Sequence, residues 1–179
     1  VSSEAIDDIA KLLTNGKKTA ILLRGASLYG EGLEAAGRVQ AKTGARLLCD
    51  TFAPHIELGA GRVPVERIPY FAEQIVEYLK GIEQIILVCS KPPVSFFAYP
   101  DKPSWCSPEG CHFSNLAHPH EDGPAALAAL ADALNAPAKS PIRVPLQLGG
   151  LPKGQLTALG VAQIIAELTP DNAIYAEEA

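Results

Sequence analysis

Residues 20–32, AILLRGASLYGEG, hold the first arrangement that could do chemistry. An apolar run leads into a turn that contains Gly25, Gly30 and Gly32, and a helical pattern follows. The free N–H groups and the dipole of a helix N-terminus can hold a diphosphate. However, the glycines lack the G-x-G-x-x-G spacing of a dinucleotide site, and Glu31 opposes an anion at this end. We therefore favour a turn that only closes a βα unit.

A second candidate is a group of cysteines and histidines. Cys106, Cys111 and His112, followed by His118 and His120, offer sulfur and nitrogen atoms that could surround zinc. Structural zinc sites place their imidazoles about three to five residues apart, and the last two histidines are closer than that. We expect a surface loop without a metal. The sequence supports a nucleophilic cysteine even less than a metal site, because it shows no neighbour that would lower the pKa of a thiol.

Aromatic residues are concentrated in residues 96–113. They could form a platform for a base or a flavin ring. Aromatic side chains at strand spacing more often fill a core, so we expect them to cover one sheet face or an interface with a neighbouring domain. The residues are Phe96, Phe97, Tyr99, Trp105 and Phe113.

Hydrophobic periodicity predicts the elements that must position these groups. The predicted strands are residues 19–23, 46–49, 84–89, 94–100, 112–117 and 173–176. The predicted helices are residues 4–13, 31–42, 71–79 and 124–134, with a further helix that starts at Thr157. Residues 50–70, rich in glycine and proline, are predicted to be irregular. Strands alternate with helices over short connections, which predicts an α/β fold with a Rossmann-like parallel sheet flanked by helices.

The composition limits the classes of partner. Of the 179 residues, 47% are hydrophobic and 20% charged, and the net charge is -5 without a basic run. We therefore expect neither nucleic acid nor an anionic membrane as a partner. No apolar stretch approaches the roughly 20 residues of a membrane span, and the N-terminus lacks the layout of a signal peptide. We expect a cytoplasmic protein whose four cysteines are reduced.

The chain divides into three predicted segments. Residues 1–136 form a Rossmann-like central domain, and residues 137–155, rich in proline and glycine, form a linker. Residues 156–179 offer one helix and one strand, which is too little for a core, so we expect the truncated start of a second domain. The absence of methionine, even at position 1, suggests a piece of a longer polypeptide.

Several stretches of the sequence resemble a known family. They are ERIPYFAEQIVEYLKGIEQIILV, PPVSFFAYPDKPSWCSPEGC and, after the linker, LTALGVAQIIAELTPDNAIYAEEA. Together they resemble the central domain of thiamine-diphosphate-dependent enzymes and the first elements of the diphosphate-binding domain. The most similar branch is acetolactate-synthase-like and related to benzoylformate decarboxylase. The resemblance covers nearly the whole chain.

The resemblance implies a parent enzyme of three domains that uses thiamine diphosphate and Mg²⁺. Such an enzyme acts on a 2-oxo acid as a carboligase or decarboxylase, a transferase or a lyase, with the cofactor stabilising a carbanion. The family's first domain supplies a catalytic glutamate and its third a metal-binding GDG motif, and GDG does not occur in this sequence. We expect no catalytic residue and neither cofactor on this chain, whose role would be architectural. Its partners would be the neighbouring domains of the same enzyme and further copies in a homo-oligomer.

The resemblance also implies where a nucleotide would bind. Some family members carry FAD on the central domain and others an adenine nucleotide. In the FAD-binding members the ligand touches loops that correspond here to DTFAPH and CSKPPVSF, and Pro92 and Pro93 remove two donors from the second loop. FAD or ADP is therefore not favoured. The predicted cofactor-binding residues are Arg24, Gly25, Ala26, Ser27, Thr51, Ser90 and Lys91.

Two alternatives stay open at this point. The chain could be a stand-alone module that carries FAD, NAD or ADP, or a non-catalytic accessory subunit of a larger complex.

The resemblance also singles out Glu177 and Glu178, which end the last predicted strand where the family's chain enters the thiamine diphosphate site.

Overall fold

The computed structural model describes residues 1–176. The chain divides into two compact units, Val1–Val144 and Pro145–Ala179, and we describe each by itself. Glu177 and Glu178 lie outside the described residues. None of the described helices is both long enough and apolar enough to cross a membrane.

The first unit is an α/β domain with five strands and four α-helices among its described residues. Its strands are β1 (Thr19–Leu23), β2 (Arg46–Cys49), β3 (Glu66–Arg67), β4 (Gln84–Val88) and β5 (His112–Ala117). Its helices are α1 (Ser3–Leu13), α2 (Gly30–Thr43), α3 (Ala72–Tyr78) and α4 (Gly123–Ala133), and a 3-10 turn spans Gly25–Leu28.

All five strands are parallel, in the order β3-β2-β1-β4-β5. Every residue of β1 and of β4 is buried, because helices cover both faces of the sheet. The chain leaves β1 toward β2 and later returns on the other side as β4. The crevice at the carboxyl ends of β1 and β4 is therefore the switch point where open α/β sheets bind ligands.

Two apolar layers hold the sheet. Ile21 and Leu23 of β1 face the layer formed with α1, α2 and α4. Ala20 and Leu22 face the opposite layer, formed chiefly with α3. Side chains on a strand alternate between faces, so one continuously apolar strand serves both layers.

Helix ends follow the local signals in the sequence. Ser2 accepts a hydrogen bond from the N–H of Ala5 at the start of α1, and Asp122 accepts one from Ala125 at the start of α4. Gly44 ends α2 with φ +73°, a conformation that glycine adopts without strain. The predicted α/β fold and the parallel sheet are confirmed.

The predicted strand 94–100 is wrong. These residues form a loop, in which Val94 makes an isolated antiparallel bridge with Trp105. Aromatic residues at alternating positions imitate a strand, but this segment hydrogen-bonds to no strand of the sheet. Conversely, β3 lies in the segment predicted to be irregular, and its two residues pair with Leu48 and Cys49 of β2.

Residues 137–144, predicted as the first part of the linker, belong to the first unit. The Pro137 carbonyl accepts a hydrogen bond from Arg38 Nε at 2.7 Å, and the Ser140 N–H donates to Glu34 Oε1 at 2.8 Å. Arg143 forms an ion pair with Glu34 at 2.6 Å. The predicted domain boundaries themselves stay a prediction.

The second unit contains α5 (Ala158–Leu168), and Thr157, the predicted start of this helix, is its N-cap. The Thr157 hydroxyl accepts a hydrogen bond from the N–H of Gly160. The predicted strand over residues 173–176 is wrong: these residues form no strand, because residues 145–176 include no other strand with which they could pair. Gly160 is the one buried residue in this described segment.

Candidate functional site

The crevice at the carboxyl ends of β1 and β4 gathers part of the predicted site. Arg24 follows β1, Asp50 follows β2 and Ser90 follows β4. Arg24 Nη1 lies 3.4 Å from Asp50 Oδ2, in an ion-pair geometry that is not aligned as a hydrogen bond. Burial raises the pKa of the Asp50 carboxyl, while the Arg24 charge and a hydrogen bond from Ser90 act to lower it. The Asp50 carboxyl therefore lies between Arg24 and Ser90 at this edge of the sheet.

The glycine turn does not form an open phosphate loop. Residues Gly25–Leu28 form a 3-10 turn, with Gly25 at φ +62°. Ser27 is fully buried, and its hydroxyl has no hydrogen-bond partner. A Cβ on Gly32 would lie 2.6 Å from the Ala26 carbonyl oxygen, so α2 packs directly against this turn. Ala26 and Ser27, two of the predicted cofactor-binding residues, thus lie in a packed connection.

A carboxylate of the chain itself occupies the N-terminus of α2. Glu57 Oε2 accepts a hydrogen bond from the Gly30 N–H at 2.7 Å, and Glu57 Oε1 lies 2.9 Å from Arg62 Nε. The Glu57 N–H also donates to the Leu28 carbonyl at 3.0 Å. A helix N-terminus attracts an anion, and here Glu57 supplies it. The sequence analysis missed this residue, because Glu57 lies 27 residues from Gly30 along the chain and in an irregular segment without a periodic pattern.

A small cavity of about 200 Å³ adjoins this position, with Glu34, Arg62 and Arg143 among its lining residues. Each of its arginines is paired with a glutamate, Arg62 with Glu57 and Arg143 with Glu34. The pKa of Glu34 is lowered because the Ser140 N–H and Arg143 outweigh the opposing effect of burial. The cavity therefore offers no unpaired arginine to a phosphate.

The remaining predicted residues are dispersed. The Thr51 hydroxyl lies 2.9 Å from both the Ile68 and the Pro69 carbonyl oxygens, so its proton is engaged within the loop. Ser90 is buried and Lys91 is exposed. The structure brings Arg24 and Ser90 together around Asp50 but does not place Thr51 or Lys91 with them in a ligand-sized pocket. Their cofactor role stays a prediction.

The thiols are mainly buried. Burial raises the pKa of Cys49 to about 11, and Cys106 is also fully buried with a raised pKa. Cys89 has φ +57° and lies beside Gly123 at the start of α4. Burial raises the pKa of the Cys89 thiol more than the Gly123 N–H lowers it. None of these thiols carries the lowered pKa of a nucleophile.

The cysteine–histidine group shows no ligand arrangement. His118 and His120 stack with their ring centres 5.8 Å apart. Nowhere in residues 1–176 do three or more His, Cys, Asp or Glu side chains gather as metal ligands would.

The aromatic residues form a surface patch. We call the rings of Phe52, Tyr70, Phe71, Phe96, Phe97 and Tyr99 the aromatic surface. Neighbouring rings have centres 4.6–6.2 Å apart. The rings come from loops after β2, β3 and β4, and most of them line a cleft of about 320 Å³. Phe96 and Phe97 are 60% and 49% exposed, so the expectation that they cover a sheet face is wrong. The other expectation, that the aromatic residues form an interface with a neighbouring domain, stays a prediction.

A comparison of the sequence with known proteins finds a clear relative. The chain is 40% identical over 174 residues to a Mycobacterium tuberculosis protein named acetolactate synthase large subunit IlvX. The match covers 97% of this chain and 33% of that protein. The resemblance to acetolactate-synthase-like enzymes is confirmed. The chain spans about a third of the length of this curated relative. No family model matches the sequence.

Solved structures show the same fold. A thiamine diphosphate-dependent 4-hydroxybenzoylformate decarboxylase from Rhodococcus jostii RHA1 superposes with a TM-score of 0.67 at 17% identity. That match covers 98% of this chain and 36% of the decarboxylase. A thiamin diphosphate-dependent enzyme from Mycobacterium smegmatis gives a TM-score of 0.66 at 17% identity, over 96% of this chain and 36% of its own.

Proposed function

We propose that this chain is the central domain, the linker and the first elements of the diphosphate-binding domain of a thiamine-diphosphate-dependent enzyme. The parent would act on a 2-oxo acid as a carboligase or decarboxylase of the acetolactate-synthase type. The single observation that carries this proposal is the 40% identity across nearly the whole chain to a protein named for that activity. The part proposed for this chain is architectural.

The described residues do not by themselves fit thiamine diphosphate with Mg²⁺. A magnesium ion bound with a diphosphate needs carboxylate or amide oxygens close together. Residues 1–176 contain no cluster of three or more candidate side chains, and the GDG motif is absent from the sequence. We therefore assign the cofactor and its metal to the other domains of the parent and route no step of the reaction through this chain.

The nucleotide alternative has little support from the geometry. The N-terminus of α2 is capped by Glu57, and Ala26 and Ser27 are packed against α2. FAD, NAD or ADP would have to displace Glu57 and separate it from Arg62. A stand-alone nucleotide-binding module is therefore the second candidate, and an accessory non-catalytic subunit is the third.

The second unit supports the proposal that this chain is part of a larger enzyme. In α5, Leu159 and Leu168 are 70% and 67% exposed, so an apolar helix presents its side chains to solvent. The described residues of this unit, 145–176, bury only Gly160, which is too little to maintain a fold alone. We propose that further protein covers this helix in the parent enzyme, as expected for the start of a larger domain. We also propose a cytoplasmic homo-oligomer.

A chimera tests this proposal. The matching third of the Mycobacterium tuberculosis relative is replaced by this chain, and thiamine diphosphate binding in the presence of Mg²⁺ is measured by calorimetry. We expect a folded chimera that binds the cofactor as the relative does. A matched chimera with Leu22→Asp should lose binding because its sheet cannot pack.

Experiments on the isolated chain test the nucleotide-binding alternative. Titration with FAD, NAD, ADP or thiamine diphosphate should give no heat of binding, and pyruvate should not be turned over. Micromolar binding of one of the three nucleotides would favour the second candidate. A folded chimera that does not bind thiamine diphosphate would reject the first.

A further inference from the structure

The last residue of the first unit, Val144, is held by a loop and not by a helix or a strand. The Val144 N–H donates a hydrogen bond to the Arg62 carbonyl at 2.9 Å, and the Gly61 N–H donates to the Val144 carbonyl at 2.8 Å. The Arg62 N–H donates to the Gly59 carbonyl at 3.1 Å, so residues 59–62 form a tight turn. The position of this turn therefore sets the point at which the chain leaves the first unit.

The Glu57 carboxylate fixes this turn against α2. Its Oε2 atom accepts a hydrogen bond from the Gly30 N–H at 2.7 Å, and its Oε1 atom lies 2.9 Å from Arg62 Nε. The α2 N-terminus holds the carboxylate in place, because the first N–H groups of a helix have no partner within it and carry the positive end of its dipole. The carboxylate then holds the arginine whose carbonyl accepts from Val144. One side chain thus connects the start of α2 with the end of the first unit.

Close packing fixes only one side of this region. A Cβ on Gly37 would lie 2.5 Å from Val63 Cγ2 and 2.9 Å from Ser140 Cβ, so α2 is in direct contact with both residues. Val63 and Ser140 are buried, whereas the Arg62 side chain is 46% exposed and borders the cavity of about 200 Å³. On the open side of the turn, the ion pair with Glu57 takes the place of packing.

A second ion pair acts on the residues just before Val144. The Arg143 side chain pairs with Glu34 at 2.6 Å and so holds residues 140–143 against α2. This contact does not involve the backbone of Val144, whose N–H and carbonyl both bond to the turn at residues 59–62. The two ion pairs therefore act on consecutive parts of the segment that ends the first unit.

We propose that Glu57 and Arg62 are positioning residues whose ion pair fixes Val144, from which the rest of the linker leads to the next domain of the parent enzyme. The inference rests on the proposed function, in which this chain is architectural, and it names two side chains that perform this role. Neither residue touches substrate or cofactor in doing so. The pair acts on the backbone of Val144 through the turn at residues 59–62.

Amide hydrogen exchange on the full chain tests this role, because it reports the local opening of individual hydrogen bonds. Glu57→Gln keeps a side-chain oxygen for the Gly30 N–H but removes the charge that pairs with Arg62. We expect the Gly61 and Val144 amides to exchange about threefold faster, as the loss of a partly exposed ion pair implies. Arg62→Gln should accelerate the same two amides by a similar factor.

Two matched variants separate positioning from general loosening. Arg62→Lys keeps a positive charge opposite Glu57, so it should return the exchange rate of the Val144 amide toward that of the original chain. Glu77→Gln removes another exposed ion pair, with Lys80 at 3.4 Å, and should not change that rate. The amides of β4 should keep their rates in every variant, which verifies that the sheet is folded.

Either of two results would overturn the proposal. If Glu57→Gln leaves the exchange of the Val144 amide unchanged, Glu57 only caps α2. If Arg62→Lys loosens Val144 as much as Arg62→Gln does, the charge of Arg62 is not what holds the turn. Neither result affects the chimera experiment, so this proposal and the proposed function fail separately.

Discussion

The two units of this chain differ in how far they bury their apolar side chains. In Val1–Val144, β1 and β4 are buried on both faces between two apolar layers. In the described part of Pro145–Ala179, α5 is also mostly apolar but buries only Gly160. An apolar sequence therefore does not itself produce stability: elements must be available to cover it. The first unit contains those elements, and the described part of the second unit does not.

Replacing one buried and one exposed leucine tests this difference most strongly. Leu22 is fully buried in β1, whereas Leu159 is 70% exposed in α5. Leu22→Ala should lower the free energy of unfolding by about 3 kcal/mol, because it leaves a cavity. Leu159→Ala should change it by less than about 0.5 kcal/mol. Urea unfolding followed by circular dichroism measures both.

Equal losses for the two leucines would contradict the comparison. They would mean that α5 is as well packed as β1 when the chain is in solution.

Two helical glycines sharpen the same contrast. A Cβ on Gly32 in α2 would lie 2.6 Å from a backbone oxygen of Ala26, so Gly32→Ala should cost about 2 kcal/mol of unfolding free energy. A Cβ on Gly160 in α5 would lie 3.3 Å from the Thr157 hydroxyl, which can move. Gly160→Ala should leave the unfolding transition unchanged and raise the helix signal, because alanine favours helix. Thermal unfolding and far-ultraviolet circular dichroism provide the measurements.

The helices and the central strands could be predicted because their signals are local. Ser2, Asp122 and Thr157 each cap the helix that the sequence places after them. The continuous apolar runs of β1 and β4 predict burial on both faces. These features depend on neighbours within a few residues, so no tertiary information was needed.

The candidate site could not be predicted to the same degree, because its contacts join distant residues. Glu57 reaches Gly30 across 27 residues, and nothing in its local sequence distinguishes it from other glutamates. Phe52 and Phe96 come together only when β2 and β4 are placed in one sheet. The alternating aromatics of residues 94–100 imitate a strand because periodicity reports side-chain spacing but not hydrogen-bond partners.

Removing one helix cap in each unit should change the unfolding free energy less than the leucine and glycine replacements do. The Asp122 carboxylate accepts from Ala125 in α4, and the Thr157 hydroxyl accepts from Gly160 in α5. Asp122→Ala should lower the unfolding free energy by about 1 kcal/mol. Thr157→Ala should weaken α5 without moving the unfolding midpoint of the first unit, because α5 buries only Gly160. Urea titration measures the stability of the first unit in both variants, and amide hydrogen exchange measures the stability of α5. A shift of the urea midpoint with Thr157→Ala would show that the units unfold together.

The smallest effect concerns Glu34, which holds residues 140–143 against α2. Its folded-state pKa lies below the ordinary value of 4.5, because the Ser140 N–H and Arg143 stabilise the carboxylate. A lowered folded pKa contributes stability above the unfolded pKa and loses it as the pH falls through the folded value. Glu34→Gln should therefore cost a few tenths of a kcal/mol at neutral pH and nothing once the carboxylate is protonated. Urea unfolding of both proteins, from neutral pH to a pH well below 4.5, measures this difference in unfolding free energy.

Glu167→Gln is the matched control, since Glu167 accepts from the Gly150 N–H within the second unit. It should leave the unfolding midpoint of the first unit unchanged at every pH. If Glu34→Gln has the same cost at neutral pH and at a pH well below 4.5, the loss comes from packing of residues 140–143 and not from the charge on Glu34.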